Sequence, residues 1–218
     1  MKGKANEWIS IADLMAGVMA VIMLLLVISV VQRTSESASE QAEAKKVRQL
    51  LIDLQDSVHK EGEDELVTID QKHNVILLRE RFFDDGSACV AKSDRKNVLE
   101  LIQKLVKAFL ATEPDGDILV EGHTNSIPVK DIRQRTEGQW DFDREHCSLY
   151  DDNLTLSAAR AREVRAKIVA DASLDPGEAG RIIVAGYGDS RPLSETDPKD
   201  ASNKRVEIRL RIHGKLEK

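Results

Sequence analysis

Trp8-Ile-Ser-Ile-Ala-Asp13-Leu-Met-Ala-Gly17-Val-Met-Ala-Val-Ile-Met-Leu-Leu-Leu-Val-Ile-Ser-Val-Val31 is the stretch whose reading decides the organisation of this chain. After Asp13 no charge appears until Arg33. At roughly 1.5 Å per helical residue the run is long enough to cross a hydrocarbon layer of about 30 Å. It reads as a membrane-spanning helix over residues 8–32 with one acid in it. A carboxylate inside such a span costs on the order of 2–3 kcal/mol, and acids in that position mostly handle ions or protons. Ala12, Ala16 and Ala20 recur every four residues, and Gly17 follows Asp13 by four. The face that carries the acid is therefore small, which lets another helix approach closely. The competing reading is a signal anchor whose Asp13 snorkels to the interface.

The 218 residues suffice for this span and one domain of ordinary size. A net charge of -6 gives no basic footprint for nucleic acid. The apolar run is too long for a cleavable signal peptide, and Ser37-Ala38-Ser39 is a poor cleavage site. No cysteine stands near residue 30 to carry a lipid. Lys2 and Lys4 precede the span, whereas Arg33, Lys45, Lys46 and Arg48 follow it, so the charge rule leans against a cytoplasmic N-terminus. That rule binds weakly where a large domain is translocated. The two cysteines, Cys89 and Cys147, either pair in an oxidising compartment or remain two thiols.

Residues 1–7 form a short tail and 33–62 a helical linker. In the linker, Val47, Leu50, Leu51, Leu54 and Val58 make an i, i+3, i+4, i+7, i+11 stripe. The stripe either pairs with its own copy in a dimer or packs on the chain's own domain. Residues 63–218 form the folded domain. Leu66–Asp70 and Val75–Leu78 read as strands around a Lys72-His73-Asn74 turn. A helix over 94–111, capped by Ser93, carries Val98, Leu101, Ile102, Leu105, Val106 and Phe109 at helical spacing. A buried strand over 117–122 leads to His123-Thr124-Asn125, and a long irregular segment over 126–153 follows. A second helix runs from Ser157 to Ala172, capped by Thr155 or Ser157. Strands follow at 181–185 and 205–213, the latter with one buried and one wet face. The order β-α-β-α-β-β predicts an α/β sandwich, with helices on one side of a mixed sheet.

Four ordered segments carry a family resemblance: Val120-Glu121-Gly122-His123-Thr124-Asn125, Asn153-Leu154-Thr155-Leu156-Ser157-Ala158-Ala159-Arg160-Ala161, Ala185-Gly186-Tyr187-Gly188-Asp189-Ser190-Arg191-Pro192 and Asn203-Lys204-Arg205-Val206-Glu207-Ile208. Together they resemble the OmpA-like peptidoglycan-binding domain, over about residues 66–213. The Trp8…Asp13-Leu14-Met15-Ala16 opening resembles MotB, the B subunit of flagellar stators. The short linker and the 126–153 insertion resemble ZorB, the MotB-like component of Zorya anti-phage defence. The resemblance implies a single-pass inner-membrane protein with a cytoplasmic N-terminus and a periplasmic domain. It implies a homodimer of B subunits inside a ring of MotA-like (ZorA-like) subunits, anchored to peptidoglycan, with ions passing by way of Asp13. A flagellar stator subunit and a passive envelope anchor are the alternatives.

The resemblance also implies a site for the diaminopimelate residue of the stem peptide. Arg160 matches the arginine that binds its carboxylate. On the predicted boundaries Arg160 stands in the first turn of its helix, where a cation opposes the helix dipole and a bound anion would resolve the conflict. The competing reading is a solvated surface arginine. Asn125 stands where the family has an acid, so it keeps an acceptor and loses the charge for an ammonium; either the affinity is lower or Asp151 or Asp152 compensates. Asn153 matches the motif's asparagine, and Tyr150 and Leu156 shape the wall. Asn203 and Arg205 match the last motif; they line the same cleft, or Arg205 makes a structural ion pair.

No enzyme is expected. There is no GxSxG elbow, no phosphate-cradling glycine loop, and no metal-ligand spacing among His59, His73, His123, His146 and His213. No cofactor and no metal are expected. The transported ion is expected to be H+, since only Ser10 lies near Asp13 as a further oxygen ligand.

Overall fold

The computed structural model describes residues 3–83, 87–90, 96–129, 150–171 and 174–213; up to residue 45, side chains are described for 11–32, 34, 41, 42, 44 and 45. Helix α1 runs Gly3–Glu61 and enters two compact units, Met1–Lys45 and Lys46–Lys218. In the first unit, Ile11–Gln32 has a mean hydropathy of 3.0 and is long and apolar enough to cross a membrane. None of that window is buried by protein, and Leu14, Met19 and Leu24 are more than 60% exposed. A face of that kind demands an apolar surrounding. Asp13 is exposed on the same helix.

The second unit begins inside α1, at Lys46, rather than at residue 63. The reason is the linker stripe. Val47, Leu51, Leu54 and Val58 are buried in one core cluster with the domain's strands and helices. The stripe therefore packs on its own domain and, while docked, offers no surface to a second copy. Gly62, at φ +74, ends the helix.

Strands β1 (Val67–Asp70) and β2 (Val75–Arg79) form a hairpin. Asp70 Oδ1 accepts the backbone N–H groups of Lys72 and His73 at 2.9 and 3.1 Å, and Asn74 takes a φ of 56. Helix α2 (Lys96–Thr112), β3 (Asp117–His123), α3 (Asn153–Asp171), a short α4 (Pro176–Gly180), β4 (Ile182–Gly186) and β5 (Arg205–Arg211) complete the domain. The sheet order is β1-β2-β5-β3-β4, with β3 and β4 parallel and the other pairs antiparallel. This is the expected mixed α/β sandwich, in the order β-β-α-β-α-α-β-β: the first strand is a two-stranded hairpin and the short α4 precedes β4, where the expected order was β-α-β-α-β-β.

The register decides the two faces. Ile118 and Val120 of β3, Ile76 and Leu78 of β2, and Val206, Ile208 and Leu210 of β5 are all buried under the helices. Helix α2 contributes Val98, Ile102, Val106 and Phe109; α3 contributes Ala161, Val164 and Ile168. Helix α3 lies directly on β3 and β4 because glycines are there. A Cβ at Gly122 would collide with the Ser157 carbonyl, and one at Gly186 would stand 2.7 Å from the Ala158 Cβ.

The predicted wet face of the last strand is only partly wet. Arg205 and Glu207 are 4% and 8% exposed, because ion pairs along the same strand, Arg205 with Glu207 and Glu207 with Arg209, satisfy them. The Ser93 cap and most of the 126–153 segment, with Trp140, Asp141, Asp143 and Cys147, lie outside the described residues.

Candidate functional site

Helix α3 starts at Asn153, four residues before the expected Ser157. Asp152 caps it. Its Oδ1 accepts the Thr155 N–H at 2.7 Å, and its own N–H donates to Thr155 Oγ1 at 3.1 Å. The Thr155 N–H and hydroxyl, both donated to Oδ1, hold the Asp152 carboxyl below its ordinary range. Ser157 is not a cap. It is fully buried one turn in, donates to the Leu154 carbonyl at 2.8 Å and accepts from the Gly188 N–H at 2.8 Å. Gly188, at φ +54, is thereby fixed over the start of α3.

The earlier start moves Arg160 to the third turn, so the dipole argument for a bound anion does not apply to it. Nor is Arg160 a solvated surface side chain, because it is 2% exposed. With Asn153 and Leu156 it occupies one face of α3, at i, i+3 and i+7.

The wall that holds Arg160 comes from a distant part of the chain. Its Nε donates to the Ser87 carbonyl at 2.9 Å, and its guanidinium carbon stands 5.1 Å from the centre of the Phe83 ring. Phe83 pairs through the backbone with Val90, and the Cys89 N–H donates to Ser87 Oγ at 3.0 Å. Cys89 is disulfide-bonded; Cys147, the other cysteine of the chain, lies outside the described residues. Ala88, Tyr150 and Leu156 form a small apolar cluster with Val129 and Ala159 against them. Burial raises the Tyr150 phenol, partly offset by the Ala88 backbone. Phe83 and Ser87 lie outside the four motif segments. The signal available was a paired Phe82-Phe83 just before a polar loop.

Asn125 and Asn153 meet at the end of β3. Asn153 Nδ2 donates to the carbonyls of Asn125 and Ile127, at 3.1 and 3.2 Å, clipping the outgoing chain to the start of α3. Asn125 is 3% exposed, and its Nδ2 donates to the Lys199 carbonyl at 2.9 Å. An aspartate there would face that carbonyl with no donor, so this domain's loop is built for the amide.

Asn203 and Arg205 are held by other contacts. Asn203 is fully buried; its Oδ1 accepts from the Leu193 N–H at 2.7 Å, and its Nδ2 donates to the Asp197 carbonyl at 2.8 Å. It shapes the loop before β5. Arg205 Nε donates to Glu207 Oε1 at 2.7 Å, and Arg205 bonds the Asn203 and Arg191 carbonyls at 3.3 Å. The structure therefore gathers Tyr150, Leu156 and Arg160, joins Asn125 to Asn153, and places Asn203 and Arg205 in the framework of the β4–β5 connection.

Beneath that connection lies a charge network on the sheet face away from the helices. The donor atoms of Glu121, His123 and Glu207 lie within 4.8 Å of one another. Arg209 donates to Glu121 at 3.0 Å and to Glu207 at 2.7 Å, and Arg191 reaches Glu121 at 3.9 Å while lying 3.7 Å from the centre of the Tyr187 ring. Three guanidiniums thus face two carboxylates, and the cationic charge of the cluster is already supplied. His123 stacks on Tyr187 at 5.4 Å. Burial and the Arg205 charge push its pKa down to about 4, so it is neutral at pH 7. A separate cavity of about 630 Å³ opens beside β1 and β2, and its charged lining is paired: Arg79 with Thr68, Arg81 with Glu65, Glu80 with Lys204.

The fold and sequence have relatives. The family model described as OmpA family matches residues 82–206. Motility protein B of Bacillus subtilis (strain 168) is 25% identical over 138 residues, covering 62% of this chain and 44% of that protein. The chain thus spans less than half the length of that curated relative. A MotB-like protein from Desulfovibrio vulgaris superimposes with a TM-score of 0.56 at 21% identity, covering 79% of this chain and 98% of that one, and shares the fold. The cell wall anchor of the T6SS from Pseudomonas aeruginosa gives a TM-score of 0.52 at 25% identity, covering 73% and 97%. The family match spans more than half of the sequence, and the chain belongs to the OmpA family.

Proposed function

We propose that this protein is the peptidoglycan-anchored B subunit of an ion-driven rotary motor in the inner membrane, and that it acts in anti-phage defence of the Zorya type. One observation carries the reading: the chain joins an apolar membrane-length helix bearing Asp13 to an OmpA-family domain similar to motility protein B. A tether alone has no use for an acid in its span. The partners are a ring of MotA-like subunits and a second copy of this chain. Protonation of Asp13 neutralises it and lets the helix face move past the ring; release restores the charge. A membrane potential supplies about 2.3 kcal/mol per charge per 100 mV, comparable to the low estimate for burying a carboxylate. The N-terminus is cytoplasmic and the domain periplasmic, where a disulfide at Cys89 persists. The protein is not an enzyme.

In this reading the Arg160 pocket grips the stem peptide. Arg160 meets its carboxylate, Tyr150 and Leu156 shape the wall, and Asn125 and Asn153 form the other end. Seven residues on α3 separate Asn153 from Arg160, about 10 Å along the axis, a span suited to a diamino dicarboxylic acid. Asn203 and Arg205 support the loop above the strand ends. Loss of one charge-assisted contact is worth roughly 1.5–3 kcal/mol, so Arg160→Ala is expected to weaken co-sedimentation with purified peptidoglycan about 10- to 100-fold. Unchanged sedimentation would refute the pocket.

A second reading, a passive wall anchor, is favoured by the likeness to the cell wall anchor from Pseudomonas aeruginosa. It requires no ion flow and tolerates Asp13→Asn.

A further inference from the structure

We propose that this domain selects stem peptides whose side-chain amine is acylated, as it is at a cross-link between two stems, over stems that carry the free ammonium. The inference rests on the peptidoglycan reading of the Arg160 pocket and goes beyond it in naming the form of the ligand.

The end of the pocket away from Arg160 is made of two amides, and both are held the same way round. Asn125 Nδ2 donates to the Lys199 carbonyl at 2.9 Å, and Asn153 Nδ2 donates to the Asn125 and Ile127 carbonyls at 3.1 and 3.2 Å. Carbonyls only accept, so they settle the orientation of each side chain. The donors are tied to the backbone, and the two Oδ1 atoms are left as acceptors. Among the described residues no donor reaches either oxygen, and neither is fully enclosed, unlike the Thr124 hydroxyl.

These two acceptors carry no charge. The acids beside them in sequence, Asp151 and Asp152, are exposed, and Asp152 Oδ1 already accepts the Thr155 N–H and hydroxyl. Water screens carboxylates in that position. An ammonium set on the two Oδ1 atoms would give up hydration without gaining a counter-charge, whereas an acylated N–H gives up far less.

The apolar rim points the same way. Outside the membrane-length helix, the described residues expose three large hydrophobic side chains, Ile127, Leu154 and Ile183. The first two stand at this end, each 53% exposed. Ile127 supplies one of the carbonyls that hold Asn153, and Leu154 follows Asn153 on α3. An acyl group brings its own carbon atoms to that rim and covers it; a free ammonium brings only its water. The pocket thus reads a carboxylate at Arg160 and a neutral N–H with an apolar substituent at Asn125 and Asn153.

The test uses the full chain in detergent micelles, bound to purified peptidoglycan and displaced by two soluble competitors. One is a disaccharide tetrapeptide with its free diaminopimelate amine; the other is the same compound acetylated at that amine. The acetylated competitor is expected to displace the protein at an about tenfold lower concentration. Replacing the rim, Ile127→Ser with Leu154→Ser, should cut that preference to about threefold or less. Asn125→Asp should reverse the order, with circular dichroism to check that it folds; where it does not, the wild-type order decides alone. Competitors acting within twofold of each other would overturn the proposal. A preference for the free amine would overturn it too, and would mean that an acid such as Asp151 lends its charge. Sedimentation that neither competitor displaces would also overturn it, by placing the wall contact away from the stem amine. If the protein does not sediment with peptidoglycan at all, the peptidoglycan reading itself fails, and the selectivity falls with it.

Discussion

His123 shows how burial turns one residue into a pH-dependent liability. Its folded pKa is about 4, against about 6.5 when unfolded. Between those values the unfolded chain takes up a proton that the folded domain refuses, so stability falls as pH drops from 6.5 to 4. The loss is on the order of 2–3 kcal/mol and is complete below about pH 4. His123→Gln is expected to flatten the melting temperature over that window; a slope identical to wild type would contradict the assignment. Asp70 and Asp117 act separately, at lower pH. The His73 hydrogen bond lowers the first. For the second, burial raises the pKa, but the Arg211 and His213 bonds outweigh it. Their stabilising effect is lost only as pH falls below the ordinary carboxylate range. At this scale the motif residues of α3 were legible, but their surroundings were not. Phe83 and Ser87 reach Arg160 across 73 residues or more of sequence, and no local pattern reports such a contact. The burial of Arg205 and Glu207 depends on the β3–β5 register, which an alternating strand does not reveal.

At the scale of elements, α1 was the open question and packing answers it. The stripe of Val47, Leu51, Leu54 and Val58 has the spacing of a dimer seam and of a docked helix alike, and periodicity cannot separate the two. Burial does, since Leu51 is fully enclosed by the domain's own core. Leu51→Ala is expected to cost about 2–5 kcal/mol and to lower the melting temperature by roughly 5–15 °C. A shift below about 1 °C would mean the helix is not part of this core. The start of α3 was misplaced for a related reason. Asp152, Thr155 and Ser157 are all acceptable caps by type, and only the hydrogen bonds identify Asp152. The strands and α2 were legible within a residue or two, because buried runs between turn residues leave little choice of period.

The whole molecule couples a membrane-length helix to an OmpA-family domain, and both parts were visible in the sequence from hydrophobicity and four ordered motifs. The likeness to motility protein B covers 62% of this chain and less than half of that relative, so the motor rests on what Asp13 does. The direct measurement is proton influx into liposomes that contain this chain and a MotA-like partner, under an imposed potential. The account predicts influx in wild type and, in Asp13→Asn, a fall to the leak of protein-free vesicles, with partner binding and peptidoglycan sedimentation unchanged. Equal influx in the two proteins would contradict it and leave only a tether.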